Sequence, residues 1–263
     1  MWGRVAFSGS LRQKKNLTKR GEWDIIKLAS DKENGMIIKG LQCLTLLDYP
    51  TKLAATVFLG GCNFRCPFCH NASLVLGGGG ENISEDELFS FLKSRVGRLQ
   101  GVCITGGEPT LYKTLPSLIN NIKELGYLVK LDTNGTNPEM LLHLIDEGLI
   151  DYAAMDIKSS RTGYATLCGV AGLDISPIEK SVEILLSGRI EYEFRTTVVK
   201  PYHTREDFVK IGEWIRGARA YYLQPFREGP DIISPDAGGY ERKTLAEFLD
   251  AVKPYVPNAQ IRG

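Results

Sequence analysis

Short apolar runs alternate with longer stretches in which apolar residues recur at helical spacing, and this alternation fills most of the chain. Residues 54–59, 102–105, 128–132, 152–156, 192–199 and 221–224 are the runs, each about the length of a strand. Helix-start signals fall between them. Ser84 with Glu87 three residues on forms a capping box, and Asn137 sets a cap before Pro138. Ser176, Pro177 and Glu179 combine both signals, and Thr204 with Asp207 is a weaker instance. After Ser84 the positions Leu88, Phe91, Leu92 and Val96 keep helical spacing, as do Leu141, Leu142 and Ile145 after Asn137. Both stripes are expected to be core faces, with His143 at the solvent edge of the second. Residues 36–52, punctuated by Gly40 and Pro50, read as a strand or hairpin leading in.

Six strand–helix units in succession predict an α/β fold with a parallel sheet. A closed eight-unit barrel usually takes about 250 residues; residues 53–263 fall short of that. A partial six-unit barrel, (β/α)6, is the economical answer, although periodicity alone equally admits an open doubly wound sheet. No internal repeat is visible, and the low-complexity stretch is the glycine run 77–80.

Composition narrows the setting. A chain with 43% hydrophobic and 24% charged residues is an ordinary soluble globular one, able to bury a sizeable core. Its formal net charge of +1 gives no bias toward nucleic acid or anionic membranes. No apolar run approaches the roughly 20 residues needed to span a bilayer. Residues 1–35 hold eight Lys or Arg against four acids, which predicts a weakly ordered basic tail before a single domain over 36–263. The first residues lack the apolar core of a secretory signal. Of the six cysteines, three are crowded together and Cys43, Cys103 and Cys168 are scattered. This is no disulfide framework and fits a reducing cytoplasm, with the scattered three structural.

The crowded three stand in GGCNFRCPFCH, residues 60–70, directly after the first strand. Gly60 and Gly61 allow a sharp turn and Pro67 discourages a helix, so Cys62, Cys66 and Cys69 converge in one loop. Soft thiolates select iron–sulfur, zinc or copper(I). Structural zinc and electron-carrying cubanes want four ligands, so three suggest a cluster with one open corner. A zinc knuckle completed by His70 or Cys103 is the alternative. The other motifs fall at strand ends, where parallel α/β folds place their sites. In TGGEPT, Gly106 and Gly107 permit close backbone approach to a ligand and Glu108 can accept a hydrogen bond from an ammonium group. In DTNG, Asp132 could take two ribose hydroxyls, with Thr133 and Asn134 weaker candidates and a plain turn the alternative. Lys158 and Arg195, charges on core strands, each need an anionic partner, either a protein carboxylate or a cofactor's. His203 could touch a cofactor or simply begin the next helix.

The C-x-x-x-C-x-x-C spacing resembles the radical S-adenosylmethionine superfamily. Together with LLDYP (residues 46–50), TGGEPT, DTNG, MDIK (155–158) and LQPFR (223–227), it resembles the activating proteins of glycyl radical enzymes, most specifically those of anaerobic ribonucleoside-triphosphate reductases. The resemblance covers residues 36–227, so Met36 is a candidate natural start. It implies the partial barrel and a four-iron four-sulfur cluster on Cys62, Cys66 and Cys69, whose fourth iron takes the amino and carboxylate groups of S-adenosylmethionine. It implies further that Gly106, Gly107 and Glu108 bind the amino end and that Phe68 packs near adenine. The activity implied is reduction of the sulfonium to methionine and a 5'-deoxyadenosyl radical, which takes hydrogen from a glycine of the partner. A reduced flavodoxin or ferredoxin would be the electron donor. Residues 71–101 contain no cysteine, so one cluster is expected. Another radical S-adenosylmethionine activity, on a different glycyl radical enzyme or a small molecule, and a non-enzymatic metal module are the competing expectations.

Overall fold

The computed structural model describes residues 35–77, 81–234 and 236–263. The tail expected over 1–35 and the glycine run 77–80 lie, apart from Gly35 and Gly77, outside the described residues. The sheet begins with β1 (Ile38–Thr45), antiparallel to β2 (Ala54–Leu59). Next come α1 (Ala72–Val75), α2 (Glu85–Arg95), β3 (Gly101–Gly106), α3 (Leu115–Glu124), β4 (Leu128–Thr133), α4 (Pro138–Asp146) and β5 (Tyr152–Asp156). The chain continues through α5 (Tyr164–Cys168), α6 (Ser176–Leu186), β6 (Glu191–Val198), α7 (Arg205–Trp214), β7 (Tyr221–Pro225), α8 (Arg242–Val252) and β8 (Gln260–Ile261). From β2 onward every neighbouring pair is parallel, and strand order follows chain order from β1 to β8. Among the described residues no pairing joins β8 to β1, so the sheet curls as an open partial barrel.

Parallel strands covered on both faces are apolar almost throughout, which is why β2 to β7 were readable as runs. Helices supply the outer layer through one stripe each. In α3 the stripe is Leu115, Leu118, Ile119 and Ile122, all buried, and each such side chain contributes about 1.5–3 kcal/mol by leaving water. Leu88 and Leu92 of α2 and Leu141 and Ile145 of α4 do the same, while His143 is exposed as expected. Val96 departs from its stripe. It follows the last turn of α2 and is 52% exposed.

The caps sort differently from their sequence strength. Ser84 and Glu87 form the full capping box, and Asn137 accepts from Met140 N at 3.2 Å. Thr204 and Asp207, the weaker signal, also form a complete box. Ser176 does not cap α6: it is the first helical residue, and its hydroxyl instead donates to Asp174 at 2.8 Å. Asp174 takes both the N–H and the hydroxyl of Ser176, so this residue is held as the first of the helix and not as its cap.

Candidate functional site

The cysteine loop is shaped by a clasp between two glycine pairs. Gly61, at φ +77°, donates its N–H to Leu74 O at 2.9 Å, turning the chain off the end of β2. At the end of β3, Gly107 N donates to Leu59 O at 2.8 Å and Glu108 N to Gly61 O at 2.9 Å. A Cβ at Gly106 would lie 2.2 Å from Leu59 O, and one at Gly107 would lie 1.7 Å from Gly61 O. The close backbone approach that these glycines permit is therefore first an approach to the cysteine loop. Arg65 braces the loop from within by donating from Nη1 to Cys62 O and Phe64 O, both at 2.7 Å, while its N–H reaches Cys168 O at 2.8 Å.

A strap following β7 crosses the same loop. His70 Nε2 donates to Arg227 O at 2.8 Å, and Ser234 N donates to Pro67 O at 2.8 Å. Ser73 gives its N–H and hydroxyl to the two carboxylate oxygens of Asp231, at 2.9 and 2.7 Å.

Cys62, Cys66 and Cys69 line one pocket with Phe68, Gly106, Gly107, Asp132, Thr133, Asn134, Asp156, Lys158 and Arg195. Four loops from consecutive parallel strands thus meet at the carboxyl end of the barrel. Inside it, charges alternate across β4, β5 and β6. Lys130, 1% exposed, pairs with Asp132. Arg195 bridges Asp132 at 3.1 Å and Asp156 at 2.9 Å, and Lys158 meets Asp156 at 2.9 Å. Burial pushes both carboxyls up, but Arg195 and the neighbouring lysines outweigh it and hold them below the usual range. Both remain ionised. The anionic partners required by Lys158 and Arg195 are thus protein carboxylates.

The remaining expected residues divide. Phe68 is buried on the pocket wall, with Tyr202 and His203 ring centroids 6.3 Å away. Glu108 is fully buried behind the lining, and its carboxylate accepts from Thr110 N, Thr110 Oγ1, Thr133 Oγ1 and Asn134 N at 2.6–3.1 Å. It ties the GGEP turn to DTNG. His203 is also fully buried and is absent from the lining. Its Nδ1 accepts from Val199 N at 3.1 Å and its Nε2 donates to Lys158 O at 2.9 Å. Asp156, Asn71, Thr105 and Thr197, none of them a candidate by sequence, also line the pocket. For Asp156 a signal existed: residues two apart on a strand share a face, and Asp156 stands two before Lys158.

The donor set suits an iron–sulfur cluster better than zinc. Structural zinc takes four protein ligands, whereas the cysteine loop brings three thiols to the pocket. The two proposed fourth ligands are engaged elsewhere, His70 with Arg227 O and Cys103 beside Lys130 and Asp132. Burial pushes the Cys62 thiol up to about 12 and raises Cys69 as well, whereas a hydrogen bond with the Cys168 thiol lowers Cys66, so at Cys62 and Cys69 ligation must replace protons with metal.

The radical SAM superfamily profile matches residues 56–215. A protein of Methanocaldococcus jannaschii provisionally named a glycyl-radical enzyme activating enzyme is 33% identical over 236 residues, 86% of this chain and 95% of that one. The 7-carboxy-7-deazaguanine synthase of Neisseria meningitidis serogroup B is 33% identical over 131 residues, 50% of this chain and 52% of its own. Among solved structures, a domain of pyruvate-formate lyase-activating enzyme from Bacteroides vulgatus superposes with TM-score 0.52 at 18% identity, covering 62% of this chain and 99% of that one. Streptococcus suis SuiB bound to S-adenosylmethionine gives TM-score 0.62 at 16% identity, over 77% and 48%. These structural likenesses bear on the fold, the partial barrel. Members of the superfamily use a four-iron four-sulfur cluster and S-adenosylmethionine. The chain belongs to the radical SAM superfamily, among the glycyl-radical enzyme activating enzymes.

Proposed function

We propose that this chain installs a glycyl radical on a partner enzyme, an anaerobic ribonucleotide reductase. The observation that supports this most is the convergence of the three-cysteine loop, the glycine turn and the charged cluster on one pocket. Cys62, Cys66 and Cys69 would hold the cluster, leaving one iron for S-adenosylmethionine. When bound, the cluster would supply the electron for reductive cleavage of S-adenosylmethionine, whose adenosyl part would take up the hydrogen lost by a partner glycine.

The chain's own residues bind and orient. Gly106 and Gly107 present backbone to the amino end of the cofactor, and Phe68 gives adenine an apolar wall. Asp156 and Lys158, at 30% and 18% side-chain exposure, would take the ribose and carboxylate end. Asp132, Thr133, Asn134 and Arg195 form the wall behind them, Glu108 fixes the two loops that carry them, and His203 holds the Lys158 carbonyl. Reduced flavodoxin or ferredoxin is the electron donor. Residues 36–263 form the radical SAM domain. The described cysteines are all free thiols, which agrees with a cytoplasmic setting, and no helix among the described residues is long and apolar enough to cross a membrane.

The deciding experiment is anaerobic incubation of reconstituted protein with S-adenosylmethionine, a reductant and the candidate reductase. EPR should show a glycyl radical on the reductase, and 5'-deoxyadenosine should accumulate with it. The shared segment with 7-carboxy-7-deazaguanine synthase favours a small-molecule substrate as the second reading. Abundant 5'-deoxyadenosine without a glycyl radical on any candidate reductase would point there and defeat the activase assignment.

A further inference from the structure

Beside Cys62 stands a closed ring of three polar side chains that substrate binding leaves unexplained. Asn134, 5% exposed, accepts at Oδ1 from Thr136 N at 3.0 Å and from Thr136 Oγ1 at 2.7 Å. Because a backbone N–H can only donate, these two bonds fix which side of the amide is oxygen. The Nδ2 side therefore faces the cysteine loop. There it donates to Asn63 Oδ1 at 2.8 Å and reaches Cys62 Sγ at 3.9 Å, long but within the range of a sulfur acceptor. Asn63 closes the ring by donating its own Nδ2 to Thr136 Oγ1 at 2.8 Å. Phe64 N also points at the sulfur, at 3.4 Å.

The remaining neighbour of the sulfur is Asn63 Oδ1, 3.9 Å away, which accepts from the protonated thiol. Metal ligation removes that proton. What then faces the thiolate is the Phe64 N–H from the loop itself and, from across the pocket, the amide hydrogen of Asn134, held in place from both ends. Hydrogen bonds to the sulfurs are one of the levers that set the reduction potential of an iron–sulfur cluster. They stabilise the reduced form, which carries one more negative charge.

We propose that Asn134, braced by Asn63 and Thr136, is a positioning residue for the cluster: its amide donates to the Cys62 thiolate and raises the potential at which the cluster accepts an electron. This rests on Cys62 being a cluster ligand. It assigns Asn134 to the metal centre's electronics instead of the cofactor's ribose, and it couples the end of β4 to the loop after β2.

The test is anaerobic spectroelectrochemical titration of the reconstituted full chain, with iron counted on each sample. Asn134→Asp keeps the acceptor for Thr136 and the shape of the turn but replaces the donor. Asn134→Ala removes both. Each should retain full iron and show a lower midpoint potential, with the reduction equilibrium moved about tenfold, which for one electron is about 59 mV. Asn63→Ala, on an exposed side chain, should retain iron and move the midpoint the same way by less. An unchanged midpoint in iron-replete Asn134 variants overturns the proposal. Should those variants lose iron, Asn63→Ala decides: an unchanged midpoint there overturns it equally. A wild-type chain that binds no cluster through Cys62 would instead defeat the ligand assignment on which it rests.

Discussion

Gly107 shows how little room a single residue leaves. A methyl group there would sit 1.7 Å from Gly61 O, so Gly107→Ala must push the GGEP turn off the cysteine loop. The expected cost is about 1–3 kcal/mol or more, seen as a lower unfolding midpoint together with reduced iron retention. Alanine at Cys62, Cys66 or Cys69 should abolish the cluster, whereas alanine at Cys43, Cys103 or Cys168 should leave iron content as it is in the wild type. The two strand-end aspartates should separate sharply. Asp132→Ala strands Lys130, a cation 1% exposed, and breaking a buried pair in this way costs about 3–5 kcal/mol. Asp156→Asn leaves Arg195 its bond to Asp132. It should therefore fold and hold iron while binding S-adenosylmethionine roughly tenfold to a hundredfold more weakly, the value of charge-assisted hydrogen bonds of about 1.5–3 kcal/mol. Titration calorimetry on the reduced protein separates the two outcomes. Residue types at strand ends marked both aspartates as site candidates or near neighbours of one. What they did not mark was who neutralises them: Lys130 shares β4 and one face with Asp132, whereas Arg195 reaches Asp132 from β6, across β5, a pairing that sequence order does not align by eye.

Among the elements, the strands were the most legible, since a parallel sheet needs apolar runs on both faces and each run could be bounded by its turn residues. The short pieces were not. Helices α1 and α5 span 4 and 5 residues, too few for a stripe to declare itself, and β8 has only 2. Caps were legible as signals but not as outcomes, because a hydroxyl chooses the nearest good partner. Thr204→Ala should accordingly cost about 0.5–2 kcal/mol, as the loss of a true N-cap does. Ser176→Ala, outside any cap, should stay within about 0.5 kcal/mol of wild type. Paired urea titrations of the two variants measure the difference.

For the molecule as a whole, the site is a product of topology: the parallel strands run in chain order, and the carboxyl ends of β2 to β6 bring different kinds of group to one rim. A chain beginning at Met36 is expected to fold and to cleave S-adenosylmethionine at the wild-type rate. Anaerobic chromatographic assay of 5'-deoxyadenosine checks this, and a drop of several kcal/mol in stability would show that residues 1–35 belong to the domain. The strap has a consequence for how the protein is made. The cysteines of the loop leave the ribosome early, yet Arg227, Asp231 and Ser234, which bind His70, Ser73 and Pro67, follow about 160 residues later. At roughly 5–20 residues per second the three thiols wait on the order of ten to thirty seconds for these partners. A nascent chain therefore carries its cysteine loop half-built until residues 227–234 have been made, so a cluster can be received in a finished loop only after that point.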